Sequence, residues 1–138
     1  MSKQVLDIEQ MKRLQTLGID ISKASVYWHN VAKFEKKKPA TEWILSLNSS
    51  VPLMVKTIPA FTLQDILDLL PKQIVAGPSG YTYNLDINYE KNYIAYSYTD
   101  GNGYTWLNQS FRINDGLIEA AYKMLCWCIE NEHIKRNI

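Results

Sequence analysis

An unbroken alternation from Tyr81 to Tyr89 constrains this chain more than any other stretch. Tyr81, Tyr83, Leu85, Ile87 and Tyr89 fall on one side, and Thr82, Asn84, Asp86 and Asn88 on the other. A period of two marks a strand with one face on a core. Glu90-Lys91-Asn92 then supplies a turn, and Tyr93 to Thr99 runs back with Ile94, Tyr96 and Tyr98 on a shared side. The residues of Asp100-Gly101-Asn102-Gly103 tolerate positive φ, so a second reversal follows, and a third strand from Tyr104 to about Phe111. The stretch reads as a three-stranded antiparallel meander.

A helix closes it. Asn114 or Asp115 is suited to cap its start, and at 100° per residue Leu117, Ala121, Met124, Leu125 and Cys128 cluster, with Glu119, Lys123 and Glu130 opposite. At 1.5 Å per residue such a helix is about 25 Å long, enough to roof three strands spaced about 4.8 Å apart. The Tyr/Leu/Ile face of the meander is the nearest apolar surface to receive it.

Upstream, Asp7 with Gln10 forms a capping-box start and Gly18 a stop, bounding a short first helix. Its stripe of Met11, Leu14 and Leu17 is thin, which predicts a peripheral, partly exposed position. Ser25 to Val31 and Glu42 to Leu47 read as strands. Leu53 to Ile58 reads as a third, short or at an edge because Pro52 and Pro59 flank it. Thr62 and Asp65 cap a second helix, Leu63 to Leu70, whose Leu63, Ile66, Leu67 and Leu70 share a face and which Pro71 ends. Ala76 to Gly80 reads as a turn-rich link. The expected fold is one α+β domain over residues 1–138, with antiparallel strands and helices mainly on one side, in the order α-β-β-(β)-α-β-β-β-α.

Composition bears on function by exclusion. A chain of 138 residues with 46% hydrophobic and 21% charged residues can build a sizeable core. Its net charge of +1 argues against a dominant nucleic-acid or membrane-surface role. No apolar run approaches the roughly 20 residues of a membrane span, and Met1 to Asp7 lacks the apolar core of a signal peptide, so a cytoplasmic location is expected. The dense charge run, Lys33, Lys36, Lys37 and Lys38 with Glu35 among them, admits a phosphate-binding finger. A solvated hairpin loop is the favoured reading, because a single loop without an organised basic face is a weak footprint.

Catalytic and metal signatures are scarce. Cys126 and Cys128, two apart on a helix, diverge by about 200° and neither pair nor chelate together. His29 and His133 stand in separate elements, no GxSxG occurs, and Gly101 and Gly103 fit a hairpin turn rather than a phosphate loop. No cofactor and no enzymatic activity is expected. The rings point elsewhere: of nine tyrosines and four tryptophans, eight rings fall between Tyr81 and Trp106. If one sheet face holds the helix, Tyr93, with Tyr104 and Trp106, is a candidate exposed patch for a protein partner or for self-association. Base stacking is the rival use of the same rings, but Lys91 and Arg112 are the meager cationic supply nearby.

Three segments carry a resemblance. Ile58 to Lys72 (Ile-Pro-Ala-Phe-Thr-Leu-Gln-Asp-Ile-Leu-Asp-Leu-Leu-Pro-Lys), Leu17 to Ser25 and Ala120 to Asn131 resemble short uncharacterised proteins common in gut Bacteroidales genomes and in their phages and mobile elements. The resemblance covers most of the chain and implies a bacterial or prophage setting. It transfers no activity, cofactor or catalytic residue. The expected function is that of a small accessory protein of phage or mobile-element origin acting by protein contact, with a nucleic-acid accessory using Lys33 to Lys38, or an enzyme of unrecognised type, as alternatives.

Overall fold

The alternating strands pair as their side chains require. In the computed structural model, which describes residues 4–35, 38–47, 57–78 and 80–136, the chain forms α1 (Ile8–Thr16), a 3₁₀ turn (Ile21–Lys23), β1 (Val26–Glu35), β2 (Lys38–Leu47) and β3 (Thr57–Ala60). It continues as α2 (Leu63–Leu69), β4 (Gln73–Ala76), β5 (Tyr81–Asn88), β6 (Tyr93–Thr99), β7 (Thr105–Arg112) and α3 (Leu117–Glu130). The fold is α+β with two antiparallel sheets, β2-β1-β3 and β4-β5-β6-β7. Of the strand expected over Leu53 to Ile58, residues 53–56 lie outside the described residues; β3 spans Thr57–Ala60 at a sheet edge and runs through Pro59 rather than stopping before it, since an edge position spares proline the donor a central strand would need.

The meander has four strands rather than three. β4 occupies four residues before the Gly77-Pro78 turn and pairs Ile74 with Tyr83 and Ala76 with Tyr81. Four residues are too few to show a period. β1 and β2 each extend to ten residues and pair from Val26–Leu47 to Glu35–Lys38, further than the apolar runs alone suggest.

α3 lies on the sheet face that alternation assigns to it. Ile87, Ile94 and Phe111 are cross-strand neighbours on that face, and so are Leu85, Tyr96 and Gln109. Against them α3 buries Ile118, Ala121, Met124, Leu125 and Cys128. The Tyr96 ring meets Trp127 at 6.2 Å, its hydroxyl donates to the Pro71 carbonyl at 2.6 Å, and the Cys128 thiol donates to that hydroxyl at 3.6 Å. One contiguous core joins these residues to Leu6, Met11, Leu14, Phe61, Ile66 and Leu70.

Two local expectations are corrected. The residue before α3 is Gly116 at φ 103°, with no side-chain cap; neither Asn114 nor Asp115 takes that role. Only glycine adopts this φ without strain. Asn114 instead accepts a hydrogen bond from Asn92, tying together two turns at one end of the sheet. α1, with its Asp7–Gln10 capping box, is anchored more firmly than a thin stripe implied, since Met11 and Leu14 are fully buried. Gln10 donates to Glu119 at 2.9 Å and Arg13 pairs with Glu130 at 3.2 Å, so α1 is also tied to α3.

The capping box of α2 doubles as a long-range tie. Asp65 accepts from the Thr62 amide (3.0 Å), the Ser25 amide (3.0 Å) and the Ser25 hydroxyl (2.6 Å). Burial alone would raise its carboxyl, but the hydrogen bonds from Ser25 and Thr62 outweigh that and hold it below the ordinary range. Asp65→Ala is expected to cost about 1–2 kcal/mol in urea unfolding at pH 7. A depressed folded value places that contribution above the unfolded carboxylate value, and it fades as pH falls below about 4. The gap between wild type and Asp65→Ala should therefore narrow in acid.

Candidate binding site

Beyond the last turns of α3, the helix-facing side of the sheet continues for one more level of side chains, and that level is made of rings. Tyr81 and Tyr98 stand with ring centroids 5.2 Å apart and planes tilted by 34°; Tyr83 meets Tyr98 edge-on at 6.3 Å. With Trp106 and Asp100 they line an open cleft of about 420 Å³. Tyr81 is 51% exposed, Trp106 57% and Tyr104 68%. Such a concentration of exposed rings is unusual on a surface of this size.

The turn that ends β6 builds the fifth wall. Asp100 Oδ1 accepts from the amides of Asn102 (2.9 Å) and Tyr104 (3.0 Å), closing an Asp-Gly-Asn-Gly reversal in which Gly103 takes φ 84°. Among the described residues no hydrogen-bond donor reaches Asp100 Oδ2. The carboxylate is thus fixed in place by one oxygen, and no Lys or Arg is among the residues lining the cleft.

The structure separates the residues grouped into one patch from the sequence. Tyr104 and Trp106 belong to the ring-bearing end, but Tyr93 lies on the opposite face, half-buried, its hydroxyl donating to Asp86 at 3.1 Å. The cause is a bulge in β7. Gln109 pairs with Tyr96 while Leu107 pairs with Ser97, so Asn108 is an extra residue and the alternation inverts across it. Counted by twos from Phe111, Trp106 would share a face with Tyr93; the bulge turns it onto the face of Tyr98 instead. Tyr81, Tyr83, Tyr98 and Asp100, which complete the cleft, were not singled out from the sequence. Their signal was present in the alternation, which puts Tyr81 and Tyr83 on the Leu85 side of β5 and Tyr98 on the Tyr96 side of β6, but it reads equally as core.

The opposite face carries Asn84, Asp86, Asn88, Ser110 and Arg112, with Ser97 donating toward Asp86 at 3.5 Å. Lys33 and Lys38 sit on β1 and β2, paired with Ala40 and Glu35 near the closed end of their hairpin. Lys36 and Lys37 lie outside the described residues.

The thiols are placed as inert groups. Cys128 is fully buried, and burial pushes its thiol up to about 11; Cys126 is half-buried and also raised, chiefly by burial. His133 stacks on Trp127 at 5.1 Å. Among the described residues, no group of three His, Cys, Asp or Glu side chains converges as metal ligands would, and no helix is long and apolar enough to cross a membrane. No protein family, curated protein or solved structure matches the chain.

Proposed function

We propose that this chain is a small non-enzymatic accessory protein that works by holding another polypeptide against the ring-lined end of its four-stranded sheet. The observation that carries the reading is the grouping of Tyr81, Tyr83, Tyr98 and Trp106 around one open cleft, with Tyr81 and Trp106 more than half exposed. Tyrosine and tryptophan offer large, stiff contact area at low entropic cost, which is why they anchor protein contacts. A setting in bacterial phages or mobile elements belongs to the same proposal, on the resemblance of the three segments named above. Nucleic acid is the poorer occupant, because phosphates need cations beside the stacking rings and the wall here is an acid.

The test is a double variant, Tyr81→Ala with Trp106→Ala. Both side chains are more than half exposed, so the melting temperature should move by only a few degrees. Association, read by sedimentation velocity for self-contact and by co-isolation from host extract for a foreign partner, is expected to weaken at least about tenfold. Unchanged association in a folded double variant would refute the proposal.

A further inference from the structure

Resting on that reading of the surface, we infer that the cleft recognises a cationic side chain of the partner, specifically the guanidinium of an arginine. Three observations converge. The walls are ring systems, whose faces carry negative electrostatic potential and attract cations. Asp100 adds a formal negative charge, anchored through Oδ1 with Oδ2 left for an incoming donor. The lining residues, Tyr81, Tyr83, Tyr98, Asp100 and Trp106, include no cation that would neutralise it. A single acid among aromatic faces complements one positive charge.

The shape chooses the class of cation. At about 420 Å³ the cleft is small, and it is open on one side, which suits the head of a side chain whose backbone stays outside. A planar guanidinium can lie against a ring face and donate in its own plane to a carboxylate oxygen at the same time. A lysine ammonium is a compact, strongly hydrated charge without a face to stack, so it gains less from the tilted Tyr81–Tyr98 pair. The other hollows offer less: the one between α1 and β3 brings no aromatic ring to Asp20, the one at the start of α3 sets a single ring, Tyr89, with Asp115, and the one along α1 sets Tyr122 with Glu9 beside Lys12 and Arg13, whereas this cleft gathers four rings around one acid.

Capped Gly-Xaa-Gly tripeptides carrying arginine, lysine or citrulline, the last a neutral isostere of arginine, test this on the whole chain labelled with ¹⁵N. The Trp106 indole N–H, assigned through Trp106→Phe, and the amides of Asn102 and Tyr104 report on the cleft. The arginine peptide is expected to bind about tenfold more tightly than the citrulline peptide, with lysine between them. Asp100→Asn, whose amide oxygen can still accept from the turn, should erase most of the arginine preference. Equal binding of arginine and citrulline, or no perturbation of the cleft by arginine, would overturn the inference. Loss of association in the Tyr81→Ala, Trp106→Ala variant alongside either result would leave the contact surface standing with a neutral occupant. Retained association would remove both.

Discussion

Leu125→Asp is expected to yield no folded protein at neutral pH. Leu125 is fully buried on α3, at the seam with the β5-β6-β7 face. Removing its packing costs about 3 kcal/mol. An uncompensated buried carboxylate adds about 3–5 kcal/mol more. A domain of this size has a total stability of about 5–15 kcal/mol, so the sum matches all of the lower part of that range and about half of its upper end. Leu125→Met, which keeps volume and polarity, should cost less than about 1.5 kcal/mol. Circular dichroism and amide dispersion in an NMR spectrum separate the two outcomes: random-coil spectra for the first, native spectra for the second.

Tyr96→Ala is expected to be the next most damaging change, at about 3–5 kcal/mol or a fall of roughly 10–15 °C in melting temperature. Tyr96 sits fully buried in the central strand under Trp127, and its hydroxyl links β6 to the Pro71 carbonyl at the end of α2 and to Cys128 on α3. Tyr96→Phe keeps the ring and loses only the hydroxyl, leaving the Pro71 carbonyl short of its donor; about 1–2 kcal/mol is expected from that alone. The pair of variants, compared by calorimetry, divides ring packing from hydrogen bonding. The same environment gives the protein an alkaline limit. Burial raises both the Tyr96 hydroxyl and the Cys128 thiol above their ordinary values, the thiol to about 11. Groups held protonated in the folded state contribute stability below their unfolded values and lose it as pH rises through the folded ones. Stability should be level near neutrality and decline from about pH 9, less steeply when Cys128 is replaced by Ala.

The sheet–helix layout was legible because one physical signal governs it. An unbroken period of two over β5, a partial one over β6 and an apolar stripe on α3 all demand the same burial, and the structure satisfies them together. Helix starts were legible where a side chain does the capping, as at Asp7 and Thr62, and not at Gly116, where backbone conformation does it. β4 went unread because four residues between a proline and a Gly-Pro turn show no period. The candidate site was half legible. Trp106 and Tyr104 stood out as rings on an edge strand and its turn, but which face Trp106 takes depends on a single extra residue, Asn108, that alternation cannot announce. Tyr93 was grouped with them as a ring on the face the helix leaves free, and the bulge puts Trp106 on the other face.

The contact surface is tested most directly by placing a photoreactive phenylalanine analogue at position 106 in one protein and at position 75 in another. Val75 is 62% exposed and pairs with Thr82 on the far face of the same sheet, so both probes reach solvent from opposite sides. A discrete covalent adduct is expected on irradiation in host extract from position 106 and none from position 75. That adduct should be suppressed by excess unlabelled wild-type chain but not by the Tyr81→Ala, Trp106→Ala variant. An adduct from position 75 with none from position 106, or equal competition by both chains, would contradict it.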